Sequence, residues 1–246
     1  MAKIGEIVRY LDDLLRVSTF KDFTFDGLVV EGCEEVTKVG CAVDACLESF
    51  EELQDCQLIV THHGMWWPSV ERLVGRDKRL IASLMKRDIN LYSSHLPLDA
   101  HPQFGNNAQI LQKMGLSIGE VFGECGWTSE LKEPVDLEEL EERFSKLVNG
   151  EARAWNFGKK RVSKVAVVSG GGGGSNFLQE AEASGVDLYI TGDGSHTNYH
   201  LVKELGLNVI YGGHYRTEVF GVQALMPQLE ELFGVSTRFH ECPSGM

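Results

Sequence analysis

The sequence predicts an α/β protein, and three observations carry that prediction. Short apolar runs alternate with amphipathic stretches along most of the 246 residues. Each run is bounded by Gly, Asp, Asn or Ser, the residues that end strands. Three of the runs also lead into a histidine, and the carboxyl ends of strands are where open α/β sheets gather ligands.

In chain order, helices are expected at 4–16, 44–54, 70–87, 106–114, 136–148, 175–184, 197–205 and 217–233. The first, MAKIGEIVRYLDDLL, is amphipathic and carries Glu6, Asp12 and Asp13, so it reads as a helix of the mature protein and not as a secretory leader. Strands are expected in VTKVGCAVD, QLIVTHH, INLYSSH, KVAVVSG, VDLYITG and NVIYGGH. The stretch GECGWTSELKEP breaks the alternation, and marks either a domain boundary near 123–135 or an antiparallel hairpin. The two halves repeat an order of elements, though not a sequence.

Composition narrows the function. Apolar residues make up 43% and charged residues 24%, ordinary for a globular chain with a real core. No apolar run reaches the length of a membrane span, and a cytoplasmic location is expected. The net charge of −13 offers no basic footprint, which disfavours nucleic acid as a main ligand. The six cysteines contain no C-x-x-C pair, so thiols are expected and not a disulfide scaffold or a zinc finger.

Chemistry concentrates at strand ends. In LIVTHHGMWW, His62 and His63 would face opposite ways within a strand, but a turn at Gly64 lets both rings project outward. In NLYSSHLPLDAH, His95 ends a strand and Asp99 follows four residues later. Imidazole with carboxylate suits a divalent cation, while the plainer role for Asp99 is to cap the helix that begins near Asn106. His101 looks like a loop residue. In VIYGGHYRTEVFG, His214 and Glu218 flank one corner. Glu218 there either bridges two metals or complements a helix dipole behind a Thr217 cap. Together these ligands exceed the needs of one tetrahedral ion, and two ions with open positions for water would use them.

Two further loops lie nearby. In ITGDGSHTNYH, Asp193 and His196 are either groups that line a pocket and move protons or plain turn residues. The run SGGGGGSN lacks the Lys-Ser/Thr of a P-loop, so a close-approach turn fits better than a phosphate cradle. Trp66, Trp67, Tyr199 and Tyr215 either close a cleft or simply pack.

The set THHGMWW, YSSHLPLDAH, the following GNN, SGGGGG, ITGDGSHTNYH and GGHYRTEVFG resembles the Nif-three-like family, YbgI type, over essentially the whole chain. The resemblance implies two interlocking α/β domains with largely parallel sheets, at 1–124 and 125–246, with the metal site at their interface. It implies metal ligands at His62, His63, Asp99, His214 and Glu218, with Glu218 bridging two divalent ions (Zn, Fe, Mn, Co or Ni). His95 then becomes a ligand or a neighbour of the site and, with Asp193 and His196, a candidate for proton transfer. A toroidal homohexamer is implied, as is a small nucleotide-like or phosphorylated substrate for a metal-dependent hydrolase, often labelled a type-2 GTP cyclohydrolase homologue. The rival expectation is a non-catalytic metal chaperone, sensor or regulatory scaffold.

Overall fold

The computed structural model describes residues 1–67, 72–150 and 152–245. The chain forms two compact units, one of Met1–Leu98 with Gly221–Cys242, the other of Asp99–Phe220 with the residues from Pro243 on. The chain therefore passes between units at 98/99, at 220/221 and at 242/243. This differs from the expected division at 124/125. The stretch from 126 to 136 is a strand that pairs within the second unit, so its backbone belongs to a sheet and not to a linker.

In the first unit, β1 (Ala2–Lys3) leads into α1 (Ile4–Leu15), whose buried face is Ile4, Ile7, Leu11 and Leu15 at helical spacing. Then come β2 (Gly27–Val30), β3 (Glu35–Val36), β4 (Lys38–Asp44), α2 (Leu47–Glu52), β5 (Leu58–His63), α3 (Gly75–Met85), β6 (Asn90–Ser93) and the single turn α4 (Leu96–Asp99), which ends across the unit boundary. Residues 70 and 71 of the expected third helix lie outside the described residues. The helix expected from 44 starts later because Asp44 pairs with His63 and keeps β4 extended.

The second unit continues with α5 (Asn106–Lys113), β7 (Val121–Phe122), β8 (Gly126–Asp136), α6 (Leu137–Leu147), β9 (Arg153–Asn156), β10 (Arg161–Val168), α7 (Ser175–Ala183), β11 (Leu188–Thr191), α8 (Tyr199–Leu205) and β12 (Asn208–Tyr211). The long helix α9 (His214–Phe233) carries the chain back to the first unit, where β13 (Ser236–Phe239) follows. The hairpin reading of GECGWTSELKEP holds, since β7 and β8 pair antiparallel.

Among the described residues, the main sheet of the first unit runs β13-β4-β5-β6-β2, with β13, β4, β5 and β6 parallel and β2 antiparallel to β6. The sheet of the second unit runs β7-β8-β10-β11-β12-β9, with β10, β11 and β12 parallel. The parallel strands are buried on both faces and so read as continuous apolar runs. Leu58, Ile59 and Val60 are fully buried, as are Val165, Ala166, Val167, Leu188, Tyr189 and Val209. Each such aliphatic side chain contributes about 2 kcal/mol by leaving water. That burial fixes the register, because a one-residue slip would turn the apolar set outward.

Candidate metal centre

In the first unit, register places the histidines. Thr61 pairs with Ser93 across β5 and β6, so the next residues, His62 and Ser94, fall side by side. The fully buried His62 uses Nδ1 to meet the Ser94 carbonyl at 3.0 Å. His63 stands opposite Asp44 and donates from Nδ1 to its carboxylate at 2.8 Å. The strand ends at His63 and the backbone bends over 65–67; at Gly64 a Cβ would lie 1.9 Å from the Thr24 hydroxyl. The rings of His62 and His63 come to 4.8 Å between centroids.

His95 joins them from β6, at 5.2 Å from the His62 ring. Its Nδ1 meets the Asp22 carboxylate at 2.9 Å, and its backbone N–H donates to Asp26 at 2.8 Å. One ligating atom from each of His62, His63 and His95 lies within 4.8 Å of the others. With Nδ1 engaged by an oxygen in all three, an ion held by any of these rings would be met by Nε2. Trp67 stands edge-on to His95 at 4.9 Å, while Trp66 packs on the core.

The acids around this cluster separate by environment. Burial pushes the Asp22 carboxyl up, but the His95 hydrogen bond and charge and the Leu96 and Phe23 amides overcome it, and its pKa falls below the ordinary value. Asp26 is raised to about 6, because burial outweighs the His95 N–H it accepts.

In the second unit, Asp99 is buried. Its Oδ1 accepts from Asn106 Nδ2 at 2.8 Å and from the Ser169 hydroxyl at 3.1 Å. Asn107 reaches the Asp99 carbonyl at 3.3 Å and receives the Ser169 amide at 2.6 Å. The capping role weighed for Asp99 is not what forms: Gly105 is the N-cap of α5 and supplies no side-chain bond.

His214 and Glu218 lie one turn apart on α9, which starts three residues before the expected Thr217 cap. The Thr217 hydroxyl is occupied otherwise, accepting the Gly170 N–H at 2.9 Å and facing the Gly213 carbonyl at 2.9 Å. His214 Nε2 is 3.2 Å from Glu218 Oε2, and its Nδ1 is 2.6 Å from Asp193. The Glu218 hydrogen bond above all, helped by its charge and by Asp193 against burial, raises His214 to about 9. Glu218 itself is buried.

The glycine run makes this closeness possible. Gly170 has φ +56°, and a Cβ there would fall 1.9 Å from Glu218 Oε1 and 3.0 Å from His214 Nε2. A Cβ at Gly173 would fall 2.0 Å from the Asp193 carbonyl. The close-approach reading therefore fits the run, which lies against the carboxylate end of the site.

The structure thus gathers His62, His63 and His95 in one unit and Asp99, His214, Glu218 and Asp193 around Ser169 and Gly170 in the other. His196 is not gathered: it is exposed in the 3-10 turn His196–Asn198 and makes no side-chain hydrogen bond or ion pair among the described residues. His101 accepts the Gln103 and Phe104 amides in a turn. Tyr199 packs edge-on to Trp155 and Phe157, and Tyr215 is buried, as plain packing predicts. Asp22, Asp44, Asn106, Asn107 and Ser169 hydrogen-bond to these residues, contacts the sequence did not signal.

These features define an α/β protein whose parallel-strand ends carry oriented histidines in one unit and buried carboxylates in the other, a donor set suited to borderline divalent cations. Residues 2–243 match the family model described as Duf34/NIF3 (NGG1p interacting factor 3), and the chain belongs to that family. A relative from Archaeoglobus fulgidus called "GTP cyclohydrolase 1 type 2 homolog" is 42% identical, with 99% of each chain covered. A Pyrococcus abyssi relative of the same name is 39% identical over 98% of each. Among solved structures, protein ybgI superposes with TM-score 0.92 at 31% identity, covering 99% of this chain and 100% of its own. TTHA1606 from Thermus thermophilus gives TM-score 0.92 at 36% identity with the same coverage.

Proposed function

We propose that the two donor sets hold one dinuclear divalent-metal centre, with His62, His63, Asp99, His214 and Glu218 as ligands and Glu218 as the bridge. We further propose that this centre hydrolyses a small nucleotide-like or phosphorylated substrate. The observation that carries the reading is the triplet of His62, His63 and His95, with ligating atoms within 4.8 Å of one another and each ring fixed through Nδ1. Oxygen partners on the far nitrogen are how proteins orient metal-binding imidazoles. Chain connectivity supports a shared centre: Asp99 is the first residue after the passage at 98/99, and Glu218 stands two residues before the passage at 220/221. The Gly170 cradle supports it too, since it leaves room for Glu218 and His214 where any side chain would intrude.

Ions held there would supply Lewis acidity and an activated water at neutral pH. The chain's own groups do the rest. Asp44 and Asp193 are positioning residues, holding His63 and His214. His95, backed by Asp22, handles the proton of the reaction. An exposed His196 is left for contact with substrate. The relatives' shared name, "GTP cyclohydrolase 1 type 2 homolog", suggests the nucleotide class. Six cysteines kept as thiols suit a reducing, cytoplasmic setting, and the toroidal homohexamer belongs to the same reading. No helix among the described residues is long and apolar enough to cross a membrane.

Elemental analysis of natively purified protein tests the centre. His63→Ala and Glu218→Ala should each lose both ions relative to wild type. Full metal content in both variants would refute the ligand set. A hydrolysis screen of reconstituted protein over nucleotides, phosphoesters and peptides then tests catalysis. Silence there, with metal passing readily to a second protein, would favour a chaperone or sensor.

A further inference from the structure

A second cluster of ligand-type side chains lies on the same sheet of the first unit, among residues the centre above does not use. β13 and β4 are parallel neighbours, with Phe239 opposite Cys41. Their carboxyl ends therefore emerge together, one leading to His240 and Cys242, the other to Cys46 and Glu48. Ligating atoms of Glu48, His240 and Cys242 all lie within 4.8 Å of one another. The Cys242 thiol is also in side-chain hydrogen-bond reach of both Cys46 and Glu48. His240 Nε2 is buried and has no hydrogen-bond partner. The Cys46 sulfur is held in place by the Ser49 amide at 3.5 Å and the Ser49 hydroxyl at 3.2 Å.

We propose that Cys46, Glu48, His240 and Cys242 bind a zinc ion. Two sulfurs, one imidazole and one carboxylate are a tetrahedral zinc set, softer than the nitrogen and oxygen donors of the histidine centre. A buried imidazole nitrogen without a partner is costly in a folded protein, and a cation satisfies it. Ligand atoms about a bound zinc stand roughly 3.3–3.8 Å apart, from bond lengths of about 2.0–2.3 Å, so Glu48, His240 and Cys242 need only a modest contraction, with Cys46 joining beside Cys242. Glu48 is exposed, which leaves an entry path for the ion. Binding converts two thiols to thiolates and releases both protons to solvent, with no change of oxidation state. The ion would fasten the end of edge strand β13 to the start of α2.

Sulfur makes the test independent of the histidine centre, which has no thiolate. Metal-stripped full-length protein is loaded with Co2+ and its near-ultraviolet thiolate-to-cobalt charge-transfer absorption is read. Wild type should show the band, and His63→Ala/Glu218→Ala should keep it. Cys46→Ser/Cys242→Ser should lose it together with one equivalent of zinc, and His240→Gln should weaken zinc binding at least tenfold. Should the serine variant fail to fold, wild type alone decides: Zn2+ should slow alkylation of Cys46 and Cys242 at least tenfold while leaving Cys33 unchanged. A wild type without the band, a band that survives both serines, unprotected thiols, or a native Cys46–Cys242 disulfide would each overturn the proposal.

Discussion

The two units share a frame and load it differently. Each is centred on three parallel strands joined by helices, β4-α2-β5-α3-β6 in one and β10-α7-β11-α8-β12 in the other. In each, the third strand leads to a histidine with a carboxylate four residues on: His95 and Asp99, then His214 and Glu218. The middle strands diverge. β5 ends on two histidines, whereas β11 leads to Asp193, which holds a histidine from elsewhere. The first strands diverge as well, one ending on Asp44 against His63, the other running into Ser169 and Gly170 against Asp99 and Glu218. One unit gathers imidazoles and fixes them with two acids and a backbone carbonyl. The other buries acids and fixes them with amides, a hydroxyl and the absence of a side chain. A frame that sets positions leaves the donor type free at each strand end.

The largest expected effect breaks the second unit's half of this comparison. Gly170→Ala sets a Cβ 1.9 Å from Glu218 Oε1, at a φ of +56° that L-residues resist. It should cost about 3 kcal/mol in urea unfolding and abolish metal retention. Wild-type stability and metal content would show that Glu218 can move away, and that the glycine run has no part in shaping the site.

Next come the positioning acids, one from each unit. Asp44→Asn and Asp193→Asn should each weaken metal affinity by about 10–100-fold, the usual effect of removing the oxygen that orients a ligating histidine. Competition with a chelator measures this. If only one variant responds, the unit that carries the silent acid does not ligate in the way drawn above.

A pH titration sharpens the contrast further. In metal-free protein His214 is raised to about 9, above its ordinary value of 6.5. Its protonated form therefore stabilises the fold below pH 6.5, and that contribution is lost as pH rises through 9. A metal must displace this proton. Affinity should rise about tenfold per pH unit toward 9 and flatten above it. In metal-free Glu218→Gln, which lacks the largest cause, the His214 titration read by NMR should move down. A flat profile from pH 7 to 9 would mean that His214 is not a ligand.

What the sequence revealed follows from how local each signal is. An apolar run ending in histidine is visible in ten residues, so β5, β6 and β12 and their histidines were legible. Asp44 was not, because its role depends on β4 pairing with β5 in one register. Asp22 comes from a loop without periodicity. Asn106 and Asn107 do begin a helix, as read, but their amides also reach Asp99, which no helix-start pattern announces. The start of α9 was misplaced because Thr217 looked like a cap, while its hydroxyl serves the Gly170 amide. Strands β2, β9 and β13 were missed because they are short edge strands, and β8 was visible only as one arm of a possible hairpin because its later part is polar and has no buried face.

The smallest effect tests whether the acids of the first unit are interchangeable. Asp22 is lowered and Asp26 is raised to about 6, although both bond to His95. The difference is that Asp22 receives the ring nitrogen, whereas Asp26 receives only a backbone N–H and lies near Asp22's charge. A carboxyl whose folded pKa exceeds the unfolded value opposes folding once ionised: its contribution is full below 3.8 and is lost as pH rises through 6. Asp26→Asn keeps an oxygen for the His95 N–H and removes the charge. Metal-free variant should therefore be about 1 kcal/mol more stable than wild type at pH 7.5, after allowance for solvent screening, and equal to it near pH 4. The matching Asp22→Asn change should destabilise at pH 7.5, because it removes the charge that holds the His95 ring. If Asp26→Asn also destabilises there, its negative charge is required by the histidine cluster, and the two acids serve one role instead of two.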